Sequence, residues 1–150
     1  MIASCPAKTR FVCCLAFWFS MVLLPGCSSN SPKCIRVSGT VRLDGAKVPG
    51  PGFIYFTTEA TGKDGTSRPG TAAFDADGKY KAATFVSGDG LMAGKYLLRL
   101  DCWKTAPNME GKPVVSFLAQ KYQNATTSDL ELTVQPDAQP ITFDIELTSK

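Results

Sequence analysis

A two-residue alternation of apolar and polar side chains recurs through most of the chain after residue 34. It is clearest near the C-terminus, where Leu130, Leu132 and Val134 alternate with polar residues before a turn at Pro136-Asp137. The alternation resumes after that turn, between residues 141 and 148. A period of two places successive side chains on opposite faces of a β-strand, so the chain is predicted to consist mainly of half-buried strands.

Seven segments are predicted to be strands, and no long helical periodicity separates them. Thirteen glycines and ten prolines supply turns between them. The segment Phe53–Glu59 is apolar on both faces, which is typical of a central strand. The simplest arrangement is an all-β fold, a single antiparallel seven-stranded β-sandwich over residues 35–150. The predicted strands lie at 35–43, 53–59, 71–74, 79–85, 95–102, 130–134 and 141–147.

The fifth of these strands has one face that we expect to be buried, formed by Tyr96, Leu98, Leu100 and Cys102. The stretch from residue 104 to residue 127 is less regular than the rest. It is predicted to contain a short helical turn or a long crossover loop.

The first 26 residues have the composition of an export signal. Lys8 and Arg10 precede an apolar run over residues 11–24, and this part contains no acidic residue. As a helix the run would be about 21 Å long, which is shorter than the ~30 Å hydrocarbon core of a bilayer. A basic start followed by a short apolar run predicts a cleaved signal peptide, and an uncleaved membrane anchor is the alternative.

The end of this segment, Leu24-Pro25-Gly26-Cys27, resembles the lipobox of bacterial lipoproteins. The resemblance rests on an aliphatic residue three positions before the cysteine and a small residue directly before it, while Pro25 departs from the usual alanine or serine. It implies that Cys27 carries acyl chains such as palmitate and becomes the first mature residue. Several acyl chains together hold a small protein stably at a membrane.

This resemblance sets the expected organisation and location of the protein. The expected parts are a lipoprotein signal peptide (1–26), a lipidated polar tether (27–34) and the β-sandwich (35–150). The protein is then lipid-anchored in the cell envelope, and Ser28 after the cysteine favours the outer membrane or cell surface. Its expected partners are the membrane, through the lipid on Cys27, and envelope proteins or polysaccharide.

Three longer motifs in the mature part carry a second resemblance: VSGTVRLDGAKVPGPGFIYF, GTAAFDADGKYKAATF and GDGLMAGKYLLRL. They resemble the carboxypeptidase regulatory-like group of prealbumin-type, immunoglobulin-like β-sandwiches, and more closely the small lipoproteins of planctomycetes. The likeness extends from about Val37 to Leu147 and rests mainly on turn glycines and strand starts. It implies an accessory envelope module with a structural or protein-interaction role, because such motifs specify a fold rather than an activity.

The composition argues against catalysis and against nucleic-acid binding. The chain contains no histidine, and histidine is the commonest general base and metal ligand. No nucleophile elbow or Ser-x-x-Lys motif is present. The net charge of +3 is too small to indicate a nucleic-acid surface. We therefore predict a protein that is not an enzyme, with no cofactor and no nucleic-acid partner.

Two cysteines, Cys34 and Cys102, remain in the mature chain besides Cys27. An exported protein meets oxidising conditions, so they are candidates for a disulfide that would add about 4 kcal/mol by closing a long loop. The alternative is that Cys102, at an inward position, is a buried thiol.

Two weaker candidates define the alternative function, a carbohydrate- or calcium-binding envelope module. Asp75 and Asp77, with Asp64 and Asp89 as further ligands, resemble part of a calcium loop, although a hairpin turn explains the Asp-Gly pair without a metal. Trp103 is the candidate for a carbohydrate platform, and core or rim packing is the default explanation for an aromatic residue in a sandwich. Other aromatic residues considered for that platform are Tyr55, Phe85 and Tyr122.

Overall fold

The computed structural model describes residues 32–58 and 68–149, which belong to one compact unit. The described residues form thirteen β-strands and one four-residue 3-10 helix, so the all-β prediction is confirmed. In chain order the elements are β1 (Cys34–Ile35), β2 (Val37–Leu43), β3 (Ala46–Lys47), β4 (Gly52–Thr58), β5 (Gly70–Phe74), β6 (Lys79–Lys81), β7 (Leu91–Met92), β8 (Gly94–Asp101), β9 (Trp103–Thr105), β10 (Val115–Ser116), the 3-10 helix (Gln120–Gln123), β11 (Glu131–Val134), β12 (Ile141–Thr142) and β13 (Ile145–Leu147).

Nine of these strands form one sheet. Its order is β11-β8-β4-β5-β6-β2-β12, and β3 and β13 also pair with β2. Two further ribbons pair β1 with β7 and β9 with β10. The pairs are antiparallel except for β12 and β13, which run parallel to β2.

The prediction of seven exclusively antiparallel strands therefore needs two corrections. Each predicted segment contains a strand, but strands of two or three residues, such as β3 and β10, are too short to show a period-two pattern. The last predicted strand is divided between β12 and β13, where the carboxylate of Asp144 accepts a hydrogen bond from the Thr40 N–H at 2.8 Å. This strand also runs parallel to β2, a direction that alternation does not encode.

The sheet curls around a single core. β11 and β12 are consecutive in sequence but stand at opposite edges of the sheet. They are joined by residues 135–140, which reach at most about 24 Å, so the two edges must approach each other. Inside the curl, the side chains predicted to share one face of β8 are fully buried. Phe56 from β4 packs edge-to-face on Tyr96 there, with 6.3 Å between ring centroids.

The long strands define two ends of the domain. At the near end, Lys33 forms an ion pair with Asp137, and Val134 pairs with Gly94 at the start of β8. At the far end, Phe53 pairs with Asp101 at the end of β8. The near end is therefore where the described part of the chain begins. The length of β8, about 25 Å, separates it from the far end.

The predicted signal peptide, Cys27 and Asp64 lie outside the described residues. In the part that the structure describes, no helix has the length and apolar character needed to cross a bilayer. The irregular stretch 104–127 contains the short helical turn that was predicted, as the 3-10 helix, and also the strand β10.

Candidate functional site

The outward face of β4 is apolar but only partly covered. β4 lies between β5 and β8, so it is the central strand that the sequence predicted. Its inward residues Ile54 and Phe56 are fully buried. Its outward residues are not: the Phe53 side chain is 51% exposed, and Tyr55 is half-buried. A central strand thus presents aromatic rings to solvent.

Two charged residues of β8 stand directly opposite these rings. Arg99 pairs with Tyr55 in the strand register, and Asp101 pairs with Phe53. The guanidinium carbon of Arg99 lies 3.7 Å from the centroid of the Tyr55 ring. A guanidinium in this position is attracted by the negative face of the ring, by about 0.5–2 kcal/mol depending on exposure. Arg99 Nη1 also donates to Asp101 Oδ2 at 3.2 Å, which pairs the charge of an aspartate whose side chain is only 11% exposed.

Trp103 continues the same outward series. Cys102 between Asp101 and Trp103 is fully buried, so alternation brings Trp103 to the outward side, where it is half-buried at the start of β9. We call this set of outward residues the aromatic surface. It comprises Phe53, Tyr55, Arg99, Asp101 and Trp103.

The strand β10 adds apolar area beside the aromatic surface. Ser116 of β10 pairs with Trp103, and Val115 pairs with Thr105. Val114 and Val115 are 49% and 42% exposed. Sequence reasoning singled out Tyr55 and Trp103 but missed Phe53 and Arg99. The signal that could have found Phe53 was the apolar character of β4 on both faces.

The two other aromatic candidates do not join this surface. Tyr122 is buried in the core, and its hydroxyl lies 3.2 Å from Thr148 Oγ1. Phe85 is exposed, but it lies in the turn after β6, towards the near end of the domain. The guanidinium carbon of Arg68 is 5.5 Å from the centroid of its ring. The predicted aromatic set is therefore divided among the surface, the core and a separate turn.

The acidic residues considered as calcium ligands stabilise turns at opposite ends of the domain. Asp75 Oδ1 accepts hydrogen bonds from the N–H groups of Asp77 and Lys79, both at 2.9 Å. Asp77 forms an ion pair with Lys47 at 2.6 Å, and the hydrogen bond from Lys47 lowers the pKa of Asp77. Asp89 closes a different turn at the near end. Among the described residues, no group of three or more Asp, Glu, His or Cys is arranged to hold a metal ion.

Asp89 is the most heavily hydrogen-bonded of these acids. Its carboxylate accepts from the backbone N–H groups of Thr84, Phe85 and Val86, at 2.8, 2.9 and 3.1 Å. Partial burial raises its pKa, but these hydrogen bonds outweigh that effect, so the pKa of Asp89 lies below its ordinary value. This arrangement is a capped turn, with the carboxylate oxygens already occupied by backbone donors.

Both cysteines are free thiols in the structure. Cys34 lies in β1 at the near end, whereas Cys102 follows β8 at the far end. A disulfide needs the two Cα atoms within about 7 Å, so the length of β8 keeps the candidate disulfide from forming. Cys102 instead is fully buried, with its Sγ 3.5 Å from the carbonyl oxygen of Gly50, and burial raises the pKa of this thiol.

A shallow cavity of about 490 Å³ lies at the far end beside β3. Arg42, Lys47, Lys79 and Asp77 are among its lining residues. Lys47 pairs with Asp77, and Arg42 lies 3.8 Å from Glu146, so two of its three cations are already paired. These exposed pairs are worth little, and Lys79 is the third cation of the lining.

No known protein family, curated protein or solved structure matches this chain. Function is therefore inferred from the aromatic surface and from the sequence motifs. The aromatic surface presents rings, a stacked guanidinium and a paired carboxylate.

Proposed function

We propose that this chain is a lipid-anchored module of the cell envelope with a structural or protein-interaction role, and that it is not an enzyme. The aromatic surface is the observation that carries the interaction role. Aromatic residues and arginine are enriched at the centres of protein interfaces, where a few of them supply most of the binding energy. The half-exposed Phe53 on the central strand β4 is a ring of this kind that is open to a partner.

The finer fold assignment also belongs to this proposal. We infer a prealbumin- or immunoglobulin-like sandwich, of the carboxypeptidase regulatory-like kind, with seven principal strands. The short connection between β11 and β12 supports it, because it draws the two edges of the sheet together. The packing of Phe56 on both Tyr80 and Tyr96 supports it as well, since these rings come from strands on either side of β4 and β5.

The anchor is proposed on the sequence alone, with Cys27 as the lipidated residue after removal of residues 1–26. Intact mass of the protein purified from its native membrane tests it, beside a Cys27→Ser variant. A mature chain starting at residue 27 with added acyl mass, lost in the variant, is expected. An unmodified full-length chain would contradict the lipid anchor and favour an uncleaved membrane segment.

The interaction role is tested by photo-crosslinking in intact cells that produce the full chain. A benzoylphenylalanine at position 53 is expected to give a discrete protein adduct. The matched control is the same residue at position 85, because Phe85 is 44% exposed but lies away from the aromatic surface. Equal adducts from both positions, or none from position 53, would contradict the proposed role.

A carbohydrate-binding role is the second candidate, and the alternation that brings Trp103 to the same side as Phe53 and Tyr55 favours it. Sugar rings stack on exposed aromatic faces, and arginine and aspartate supply hydrogen bonds to hydroxyl groups. Binding to an insoluble glycan that Trp103→Ala abolishes, with the fold retained, would favour this role over protein interaction. The stacking of Arg99 on Tyr55 weighs against it, because it covers one ring face that a sugar would use.

A further inference from the structure

We propose that the cavity at the far end binds a phosphate group carried by a small polar molecule, such as a sugar phosphate. Arg42, Lys47 and Lys79 are the residues that would hold the phosphate. They belong to β2, β3 and β6, and β5 separates β6 from the aromatic surface on β4 and β8. The inference therefore goes beyond the proposed interaction role, and the two can fail separately.

Three strands bring the cations of the cavity together. β12 and β13 occupy one edge of β2, so β3 and β6 follow each other along its opposite edge. In the strand register, Arg42 of β2 lies opposite Lys47 of β3. Thr40, two residues before Arg42, lies opposite Lys79 of β6. Because Val41 between Thr40 and Arg42 is buried, both neighbours point outward, and the three cations share one outward face.

This placement leaves the positive charges poorly compensated. Like charges directly opposite each other on neighbouring strands are destabilising, and Arg42 and Lys47 stand in that relation. Arg42 Nε lies 3.8 Å from Glu146 Oε1, which is too far for a hydrogen bond. Lys79 forms no ion pair with any of the described residues. An anion between these side chains would offset their mutual repulsion.

Asp77 supplies one negative charge against the three positive charges of the described lining. Its carboxylate is 2.6 Å from Lys47 Nζ. The hydrogen bond from Lys47 and, to a smaller extent, the charge of Lys79 hold the pKa of Asp77 below its ordinary value, so it is ionised at neutral pH. The positive excess that remains matches a phosphate monoester, which carries about −1.5 to −2 charges at pH 7. A carboxylate would balance only about half of it.

The donors and the size of the cavity fit a phosphate with a polar substituent. Arginine can donate two parallel hydrogen bonds to a phosphate, and lysine binds phosphate as a point charge. The volume of about 490 Å³ lies within the range of small-molecule sites. No aromatic residue is among the described residues that line the cavity, so it offers no ring on which a nucleotide base could stack. These features favour a sugar phosphate over a nucleotide.

The first test is calorimetric titration of the detergent-solubilised full-length protein with glucose 6-phosphate. Lys79→Ala is expected to weaken binding about tenfold, because it removes a charge-assisted contact. Lys81→Ala is the matched control, since Lys81 is also an exposed lysine on the outward face of β6 but does not line this cavity. It should change the affinity by less than about twofold at physiological salt, which screens its charge. Equal losses from the two variants, or no binding by the wild type, would overturn the site.

A second variant gives a result that partial unfolding cannot imitate. Asp77→Asn removes the negative charge of the lining and releases Lys47 from its ion pair. The affinity for glucose 6-phosphate is therefore expected to rise about threefold or more. An unchanged or lower affinity, with thermal melts showing the variant folded, would overturn the proposal.

Three further ligands identify the chemistry that is recognised. Glucose and glucuronate should bind at least about tenfold more weakly than glucose 6-phosphate, because the first has no charge and the second has only one. Equal affinity for glucuronate would overturn the preference for phosphate. Inorganic phosphate should also bind more weakly, and equal affinity would overturn the sugar part of the ligand while supporting the phosphate site. None of these outcomes depends on crosslinking at position 53, so the proposed interaction role is tested separately.

Discussion

The guanidinium of Arg99 is held between the Tyr55 ring, 3.7 Å from its Cζ, and the carboxylate of Asp101, 3.2 Å from its Nη1. We predict that Arg99→Ala lowers the free energy of unfolding by about 1–2 kcal/mol, because it removes a stacked cation and leaves a nearly buried carboxylate unpaired. The Arg99 side chain is 37% exposed, so solvent screening keeps the loss at the lower end of what a buried pair would show. Urea unfolding of the detergent-solubilised protein measures it.

Two variants show whether the unpaired carboxylate causes this loss. Adding Asp101→Asn to Arg99→Ala should recover part of the stability, since the buried charge is then absent. Arg42→Ala, which breaks an exposed pair of 3.8 Å with Glu146, should change stability by less than about 0.5 kcal/mol. If Arg99→Ala cost no more than Arg42→Ala, the stacked pair would be a minor surface feature.

A second prediction concerns pH and the turn that Asp89 closes. The pKa of Asp89 is lower in the folded protein than in the unfolded chain, because three backbone N–H groups bind its ionised form. A lowered folded pKa stabilises the protein above the unfolded pKa of about 3.9, and this stabilisation disappears as the pH falls towards the folded value. Asp89→Asn should therefore cost stability at pH 6 and progressively less as the pH falls below about 4.

The pH dependence is measured by urea unfolding of the wild type and Asp89→Asn between pH 2 and pH 6. Asp77→Asn is a useful control, since its pKa is also lowered but its partner, Lys47, is an exposed side chain. The difference between wild type and Asp77→Asn should be small at every pH. A constant difference for Asp89→Asn would mean that its charge is not what stabilises the turn.

The third prediction concerns the contact between β2 and the C-terminal strands. A Cβ added at Gly39 would lie 2.0 Å from the carbonyl oxygen of Phe143. That same carbonyl accepts a hydrogen bond from the Tyr80 hydroxyl at 2.6 Å, and the Phe143 N–H donates to Ser38 O. The backbone at Phe143 therefore cannot move away from Gly39 without breaking both hydrogen bonds. We predict that Gly39→Ala lowers the free energy of unfolding by about 3 kcal/mol or more.

Gly50→Ala is the matched control for this prediction, because nothing lies within 4 Å of a Cβ at that position. It should leave the urea midpoint nearly unchanged. Similar midpoints for the two variants would show that the C-terminal strands accommodate the added methyl group without loss, and that their close approach to β2 adds little to stability.

The elements that sequence predicted best are those whose side chains alternate over five residues or more. The inward series of β8 is fully buried because each of its members faces the core in a strand long enough to show the period. The same reasoning identified β4 as central from its two apolar faces. It could not show that the outer face stays open to solvent, since covering it depends on a second layer rather than on the strand's own sequence.

The pairing of distant segments could not be predicted in the same way. Nothing in residues 141–147 indicates that they run parallel to β2, because direction is set by where the preceding connection places the strand. The Arg99–Tyr55 contact depends on strand register, which brings together two residues that are 44 positions apart. The same holds for the two cysteines. The oxidising conditions expected for an exported protein favoured a disulfide, but the placement of β1 and β8 keeps the two thiols apart.

The placement of the two thiols gives a last prediction. Cys34 is partly exposed at the near end, whereas Cys102 is fully buried beside Gly50. Alkylation at pH 8 should label Cys34 slowly, because burial and, to a smaller extent, the charge of Asp89 raise the pKa of its thiol. It should label the buried Cys102 at least about tenfold more slowly than Cys34. Mass mapping of the alkylated peptides, before and after addition of urea, measures both rates, and Cys34→Ser identifies the remaining signal. In urea both should react alike, since only folding distinguishes them. A peptide pair joined through Cys34 and Cys102 under non-reducing conditions would contradict the separation of the two residues by the length of β8, and with it the direction assigned to the near and far ends.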